Sequence, residues 1–136
     1  MTEKTVREKG TAVRRALMGD AYASSLEPTI YADAGMREFR DLAQEIAFGN
    51  VWSRPGLDLK TRTLICVVSD TATGRAPELA IHLRMALRQG WTETELTEAL
   101  LHLSVYVGLP LVREALLTAR DTFAAIRAES GAAPTA

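Results

Sequence analysis

Apolar residues recur along most of the chain at every third or fourth position, the spacing of an α-helix, rather than at every second position. The clearest example follows Thr92 and continues as far as Val107. Thr92 and Glu95 have the pattern of a capping box, in which each side chain accepts the backbone N–H of the other residue. Because apolar positions occupy more than one side of this helix, it is predicted to be central and buried.

Five further helices are predicted from the same spacing and from glycine or proline at their ends. Their approximate ranges are 6–17, 36–49, 59–73, 77–90 and 110–126. The β-branched residues between Thr63 and Val68 would also suit a strand, although the length of that segment favours a helix. The sequence therefore predicts an all-α fold, as one domain over residues 1–130 with a disordered tail at 131–136.

The composition is close to the average for globular domains, with 47% apolar and 24% charged residues. Sixteen basic residues nearly balance seventeen acidic ones, and no lysine or arginine block indicates binding to nucleic acid or anionic lipid. No segment approaches the length of a membrane span, and the N-terminus lacks the apolar core of a signal peptide. We therefore expect a cytoplasmic protein that binds neither nucleic acid nor a membrane.

Cysteine and histidine are too few for most redox or metal sites. The single cysteine, Cys66, excludes an internal disulfide, a CxxC redox pair and a thiolate-rich zinc or iron–sulfur site. The two histidines, His82 and His102, lie far apart and lack the HExxH spacing of zinc enzymes. No metal site is predicted.

Glu78 and His82 are the strongest candidates for chemistry. Residues four apart on a helix project from one face, so the carboxylate can hold the imidazole in one orientation. Such a ring can give or take a proton near neutral pH. The alternative is structural, because acidic residues are favoured in the first turn of a helix and such pairs commonly stabilise helices. From spacing alone, the structural alternative is the commoner one.

Several other residues are candidates for substrate contacts. His102 and Tyr106 are also four apart, on the helix expected to be buried, where polar atoms are usually satisfied internally. Trp52 and Arg54 lie in a segment rich in proline and glycine, which predicts a loop that presents both side chains. Arginine can bind a carboxylate through two parallel hydrogen bonds, and the candidates are Arg54, Arg62 and Arg84. For each arginine the alternative is an ordinary surface position with its stem on apolar neighbours.

Short motifs follow one another in a fixed order across most of the chain. They are RRALMGD at 14–20, WSRPGLD at 52–58, Thr61-Arg62, ELAIHLR at 78–84, ALRQGWT at 86–92, Leu100-Leu101-His102 and YVGLP at 106–110. In this order they resemble the carboxymuconolactone decarboxylase family, part of the alkylhydroperoxidase-like superfamily. The resemblance implies an all-α domain that assembles into a ring-shaped homo-oligomer, a trimer or hexamer. Apolar residues on several sides of the helices agree with this, since a second subunit could cover them.

The peroxidase branch of that superfamily carries a CxxC pair ahead of a histidine on the same helix. The corresponding positions here are Arg75 and Glu78, ahead of His82. Without these thiols, disulfide-based reduction of peroxides is excluded. The resemblance therefore indicates the decarboxylase branch, and it favours a chemical role for Glu78 and His82 over the structural one.

The resemblance implies a cofactor-independent lyase of aromatic-compound catabolism, acting on 4-carboxymuconolactone or a close lactone acid. The electrons left by CO₂ can spread into the lactone carbonyl, so the protein must grip the carboxylates, stabilise a dienolate and supply a proton. His82 is expected to give that proton, with Glu78 setting its tautomer. The expected substrate-binding residues are Arg54, Trp52, Arg62, Arg84, His102 and Tyr106.

One position departs from the family pattern. Val107 occupies the place in Tyr-x-Gly where decarboxylases often carry cysteine, which preserves packing volume but weakens the assignment of the substrate.

Two alternatives remain open at this point. One is an isomerase or polyketide-type decarboxylase that acts on another small carbonyl acid, and the other is a non-catalytic oligomeric helical protein.

Overall fold

The computed structural model describes residues 4–131, which form two compact units, one up to Leu59 and the other from Lys60 onward. Residues 4–131 contain seven α-helices, one π-helix and one 3₁₀-helix, without a β-strand. The all-α prediction is confirmed, although the predicted number of six helices is too low. None of the helices described is long and apolar enough to cross a membrane. The single domain over 1–130 stays a prediction, and residues 132–136 of the predicted tail lie outside the described residues.

The first unit is built on a capped helix. Its elements are α1 (Val6–Met18), α2 (Asp20–Leu26), α3 (Ala34–Ala43) and a π-helix (Gln44–Trp52). The Thr5 hydroxyl accepts the Glu8 N–H at 3.1 Å and the Glu8 carboxylate accepts the Thr5 N–H at 3.0 Å. This capping box starts α1, and Gly19 ends it with a φ of 82° that residues with a side chain rarely adopt.

Helix α3 continues without a break into the π-helix. The sequence predicted one amphipathic helix ending at Gly49, and that boundary is wrong: the α-helix ends at Ala43 and the wider helix runs on to Trp52. The apolar face predicted for this segment is also largely exposed in the described chain, at Phe39, Leu42 and Ile46. A π-helix leaves no simple mark in apolar periodicity, because its hydrogen bonds span five residues rather than four.

Two glycines let α1 and the π-helix touch backbone to backbone. A methyl group on Gly10 would overlap the Gln44 carbonyl oxygen and lie 2.9 Å from the Gly49 nitrogen. A methyl group on Gly49 would lie 2.7 Å from Cγ1 of Val6. Beside this crossing, the Thr11 hydroxyl donates to the Gln44 side-chain oxygen at 2.6 Å. The packing of the first unit therefore requires glycine at both positions.

The second unit contains the helices whose ends were best predicted. Its elements are α4 (Leu59–Thr73), α5 (Ala76–Arg88), α6 (Glu93–His102), a 3₁₀-helix (Leu103–Val105) and α7 (Leu109–Ser130). The range of α4 is as predicted, and the strand alternative is wrong. The Thr92 and Glu95 capping box is present, with both hydrogen bonds at 3.0 Å. The buried apolar core of this unit consists of Val67, Leu79, Leu83, Ala86, Leu96, Leu100, Ala115, Ala119 and Phe123.

Helix α6 is not the fully buried helix that was predicted. Leu96 and Leu100 are completely buried, but Leu101 is 45% exposed. The helix also ends at His102 instead of Val107, and Val105 in the following 3₁₀ turn is 82% exposed. One face of α6 therefore contributes to the core, while apolar side chains on another face remain on the surface of the described chain.

Candidate functional site

His82 on α5 is in contact with Asp70 on α4. Nδ1 of His82 lies 2.5 Å from Oδ2 of Asp70, and only 17% and 9% of the two side chains are exposed. An ionised carboxylate can only accept a hydrogen bond, so Nδ1–H donates and Nε2 is left to exchange a proton elsewhere. The contact thus fixes both the orientation and the tautomer of the ring.

The turn between α4 and α5 explains why these two side chains meet. The Arg75 N–H donates to the Asp70 carbonyl oxygen at 2.9 Å, and Gly74 adopts a φ of 69° between them. This sharp reversal brings the last turns of α4 beside the first turns of α5. Because Val67 and Leu83 of the two helices are anchored in the core, Asp70 and His82 are held close together beside it.

The sequence had predicted that Glu78 orients His82. The structure shows that this carboxylate is Asp70 instead. Glu78 is exposed, in the first turn of α5 and one turn before His82. Spacing within one helix could not identify Asp70, because it lies twelve residues before His82 on another helix. One signal was available: Asp70 is the only acidic residue in the sequence of α4.

Cys66 lies one helical turn before Asp70 on α4. Burial, followed by the negative charges of Asp70 and Glu78, raises the pKa of its thiol to about 11. The charges of both carboxylates therefore reach the thiol of Cys66. We call the four residues Cys66, Asp70, Glu78 and His82 the acid–histidine cluster. A thiol with this pKa is protonated at neutral pH and is a poor nucleophile.

We expect Cys66 to be alkylated unusually slowly by iodoacetamide. Since the thiolate is the reacting species, the rise of the pKa from 9.0 to about 11 lowers its fraction at pH 8 by about 100-fold. Mass spectrometry between pH 7 and 10 should show a rate that is still rising steeply at pH 10. Asp70→Asn should accelerate alkylation, whereas the exposed Asp121→Asn on α7 should not. A rate at pH 8 equal to that of a small thiol would contradict the prediction.

Arg84 already binds a carboxylate within the second unit. Its Nη1 and Nη2 donate to the two carboxylate oxygens of Glu129 on α7, both at 2.8 Å. The hydrogen bonds from Arg84 lower the pKa of the Glu129 carboxyl. The structure therefore gives Arg84 a carboxylate partner within this unit, and its role in binding substrate stays a prediction. Arg62 is half-buried on α4, and its role stays a prediction.

His102 and Tyr106 are exposed, so the prediction that they are buried is wrong. Their rings lie in contact, with centroids 5.1 Å apart and planes inclined by 37°. Tyr106 is 71% exposed. The pairing at four-residue spacing is present, but it lies on the surface of the described chain. A substrate-binding role for either residue stays a prediction.

Trp52 and Arg54 belong to the first unit. Trp52 lies at the end of the π-helix and is only 9% exposed. The centroid of its ring is 5.7 Å from the centroid of the Phe48 ring. The prediction of a loop that presents Trp52 is therefore wrong. Arg54 follows in an exposed segment, and both residues line an open cavity of about 510 Å³ within this unit.

The acid–histidine cluster is suited to moving protons. His82 offers one fixed ring whose Nε2 can carry a proton, while the thiol of Cys66 stays protonated. Among residues 4–131, no three or more His, Cys, Asp or Glu side chains are arranged to hold a metal ion. The geometry is that of an oriented general acid or base.

Comparison with known proteins identifies the family. Residues 37–121 match the model of the carboxymuconolactone decarboxylase family. The chain is 36% identical over 124 residues to 4-carboxymuconolactone decarboxylase of Acinetobacter baylyi, covering 90% of each chain. It is also 36% identical over 115 residues to nitrosuccinic acid decarboxylase of Metarhizium robertsii, covering 85% of this chain and 79% of that protein. By its ordered motifs, its all-helical fold and these relatives, the chain belongs to the carboxymuconolactone decarboxylase family.

Proposed function

We propose that the protein is a cofactor-independent decarboxylase of small acids that carry their own electron-withdrawing group, with 4-carboxymuconolactone as the first candidate. The observation that carries the proposal is the 2.5 Å contact between Asp70 and His82, which fixes an imidazole as a proton donor. Two relatives that are named as decarboxylases support the class of reaction.

In 4-carboxymuconolactone the departing carboxylate is attached to the γ-carbon of an unsaturated lactone. When the C–C bond breaks, its electron pair moves through the C=C bond into the lactone carbonyl oxygen, and CO₂ leaves. The resulting dienolate takes a proton at the α-carbon from Nε2–H of the His82 imidazolium, which gives 3-oxoadipate enol-lactone and leaves the ring as its neutral Nδ1–H tautomer. His82 recovers this proton from water, so the reaction consumes one proton for each CO₂ released.

Three residues of the acid–histidine cluster then have separate roles. His82 is the catalytic acid, and Asp70 is a positioning residue because it acts through the Nδ1 side of the ring. Glu78, exposed one turn before His82, is proposed to pass protons from water to the ring. Arg54 with Trp52 remains the proposed clamp for a substrate carboxylate, and Arg62, His102 and Tyr106 remain further candidates for substrate contacts.

A second candidate substrate is nitrosuccinic acid, because one relative is named as its decarboxylase. There the nitro group takes the place of the lactone as electron acceptor, and the nitronate formed by loss of CO₂ also needs a proton on carbon. The same fixed imidazole would serve both reactions. An isomerase acting on another carbonyl acid would also use this proton donor, but it would release no CO₂.

The test is to incubate the purified protein with 4-carboxymuconolactone and, separately, with nitrosuccinic acid. We expect release of CO₂ above the uncatalysed rate from at least one of them, together with the protonated product, measured by gas analysis and NMR. Heat-denatured protein is the control for spontaneous loss of CO₂. Isomerisation without CO₂, or no reaction with either acid, would contradict the proposed function.

A homo-oligomer is also proposed, with an apolar surface of the second unit as its interface. Val105, Tyr106 and Leu109 are 82%, 71% and 71% exposed in the described chain. We expect Val105→Glu to lower the particle mass measured by light scattering, because a charge there would have to be buried in the assembly. Ala124→Glu, at an exposed position of α7, is the control. A wild-type protein that is monomeric would contradict the proposal.

A further inference from the structure

A small cavity in the second unit lies beside Asp70, where the turn between α4 and α5 faces α7. Its volume is about 10 Å³, which is close to the space that one buried water molecule requires. Most of the walls are apolar, but Asp70 and Thr71 of α4 and Thr118 of α7 also line it. A cavity of this size holds water only where it has polar partners, so the state of these three side chains matters.

Only one oxygen of the Asp70 carboxylate has a partner within the described chain. Oδ2 lies 2.5 Å from Nδ1 of His82, whereas Oδ1 forms no hydrogen bond with any of residues 4–131. Asp70 is only 7% exposed, so bulk water reaches this carboxylate poorly. Burying an ionised group is costly unless its hydrogen-bonding capacity is used. Oδ1 therefore needs a donor that can reach it inside the protein.

The hydroxyl of Thr118 also differs from those of the threonines on α4. Thr71 and Thr73 donate to backbone carbonyl oxygens one turn earlier, at 2.8 and 2.7 Å. This is a common arrangement for threonine inside a helix. Thr118 is half-buried, and its hydroxyl forms no hydrogen bond with the part of the chain that the structure describes. Asp70 and Thr118 thus line the same small cavity, and each has a polar atom without a protein partner.

We propose that this cavity is a site for one water molecule that links Thr118 to Asp70, and that Thr118 is a positioning residue for His82. The water donates one hydrogen to Oδ1 of Asp70 and the other to the hydroxyl oxygen of Thr71, and it accepts a hydrogen bond from Thr118. Three hydrogen bonds are typical of a buried water. Because both carboxylate oxygens are then held, Asp70 cannot turn away from Nδ1–H of His82. The catalytic part of this inference rests on the proposed function, whereas the water site does not.

Water suits the lining better than an ion does. The lining needs a ligand that donates to a carboxylate and accepts from a hydroxyl, and water can do both. An anion would be repelled by the carboxylate of Asp70, and a cation would meet the guanidinium of Arg75, which also lines the cavity. A single neutral molecule therefore satisfies the polar atoms without adding a charge.

A crystal structure of the protein tests the water site directly. We expect one ordered water within about 3.2 Å of both Oδ1 of Asp70 and the hydroxyl oxygen of Thr118. A cavity without water density, or a direct hydrogen bond between the two side chains, would overturn the inference. This test needs no variant and no substrate, so it is decisive even if a substituted protein does not fold.

Thr118→Val tests the effect on His82, because it removes the hydroxyl and keeps nearly the same volume. Ring ¹⁵N shifts distinguish the two neutral tautomers of histidine, and a His102→Gln variant assigns the signals. We expect the Nδ1–H form alone in the wild type and a mixture of both forms in Thr118→Val, since Asp70 can then turn. Thr118→Ser should retain the wild-type spectrum. Thr122→Val is the matched control, at a buried position one turn further along α7 that does not line the cavity.

Kinetics separate the inference from the proposed function. Thr118→Val should lower kcat for decarboxylation about 10-fold, the size of one hydrogen bond to a charged group, with KM unchanged. A wild-type ring spectrum or an unchanged kcat in Thr118→Val, or the same change in Thr122→Val, would overturn the positioning role. If no substrate is decarboxylated but Thr118→Val still loses the fixed tautomer, the proposed function fails and the water link to Asp70 is supported.

Discussion

Replacing His82 with glutamine is expected to lower the rate of decarboxylation by about 10²–10⁴-fold, the usual contribution of a positioned general acid. Glutamine can still donate a hydrogen bond to Asp70, so the buried carboxylate keeps a partner and the fold is retained. What is lost is a group that can release a proton from the side facing away from Asp70. The measurement is kcat for the substrate that the wild-type protein decarboxylates, with circular dichroism to verify folding.

Asp70→Asn distinguishes positioning from simple structural support. The asparagine oxygen can still accept from Nδ1–H, but its amide group can also donate to Nδ1 and so stabilise the wrong tautomer. We expect a fall in kcat of up to about 10⁴-fold, little change in KM, and a shifted pH profile of kcat. Asp121→Asn, an exposed change of the same chemistry on α7, should leave both constants unchanged. Full turnover by His82→Gln would remove His82 from the mechanism.

Gly10→Ala is expected to destabilise the first unit by about 3 kcal/mol or more, the upper end of the range for overpacking. The added methyl group would overlap the Gln44 carbonyl oxygen, which is backbone and cannot rotate away. Helix α1 and the π-helix would have to separate, and their contact would be lost. Urea denaturation followed by circular dichroism measures the change in the free energy of unfolding.

Gly56→Ala is the matched control for this substitution. A methyl group on Gly56 would have no atom within 4 Å, and its φ lies outside the range that favours glycine. We expect a change within about 0.5 kcal/mol, or a slight gain of stability from the stiffer unfolded chain. A Gly10→Ala protein as stable as the wild type would mean that the two helices can move apart at no cost.

Local signals were enough to predict much of the second unit. Thr92 and Glu95 cap α6 through groups that are only three residues apart, and Pro77 opens α5 because its missing N–H is not needed there. These contacts do not depend on the rest of the fold. The length of α4 was also predicted from the local sequence, whereas the complete burial of its β-branched Thr63 and Val67 depends on the rest of the fold.

Features that depend on distant residues could not be predicted in this way. Asp70 reaches His82 only because the turn at Gly74 brings two helices together, and periodicity within α5 favoured Glu78. Apolar spacing marked Val105 as part of a buried stripe, although it is 82% exposed. Periodicity shows which side chains share a face, but it does not show what covers that face.

The π-helix between Gln44 and Trp52 also bears on how such a protein could change its choice of ligand during evolution. A π-helical turn holds more residues than an α-helical one, so deletion of a single residue can return the segment to α-helix. The deletion would also shorten the path between α3 and the segment that carries Arg54, which would move that segment relative to the open cavity of the first unit. One short deletion could thus alter ligand recognition without any substitution in the acid–histidine cluster.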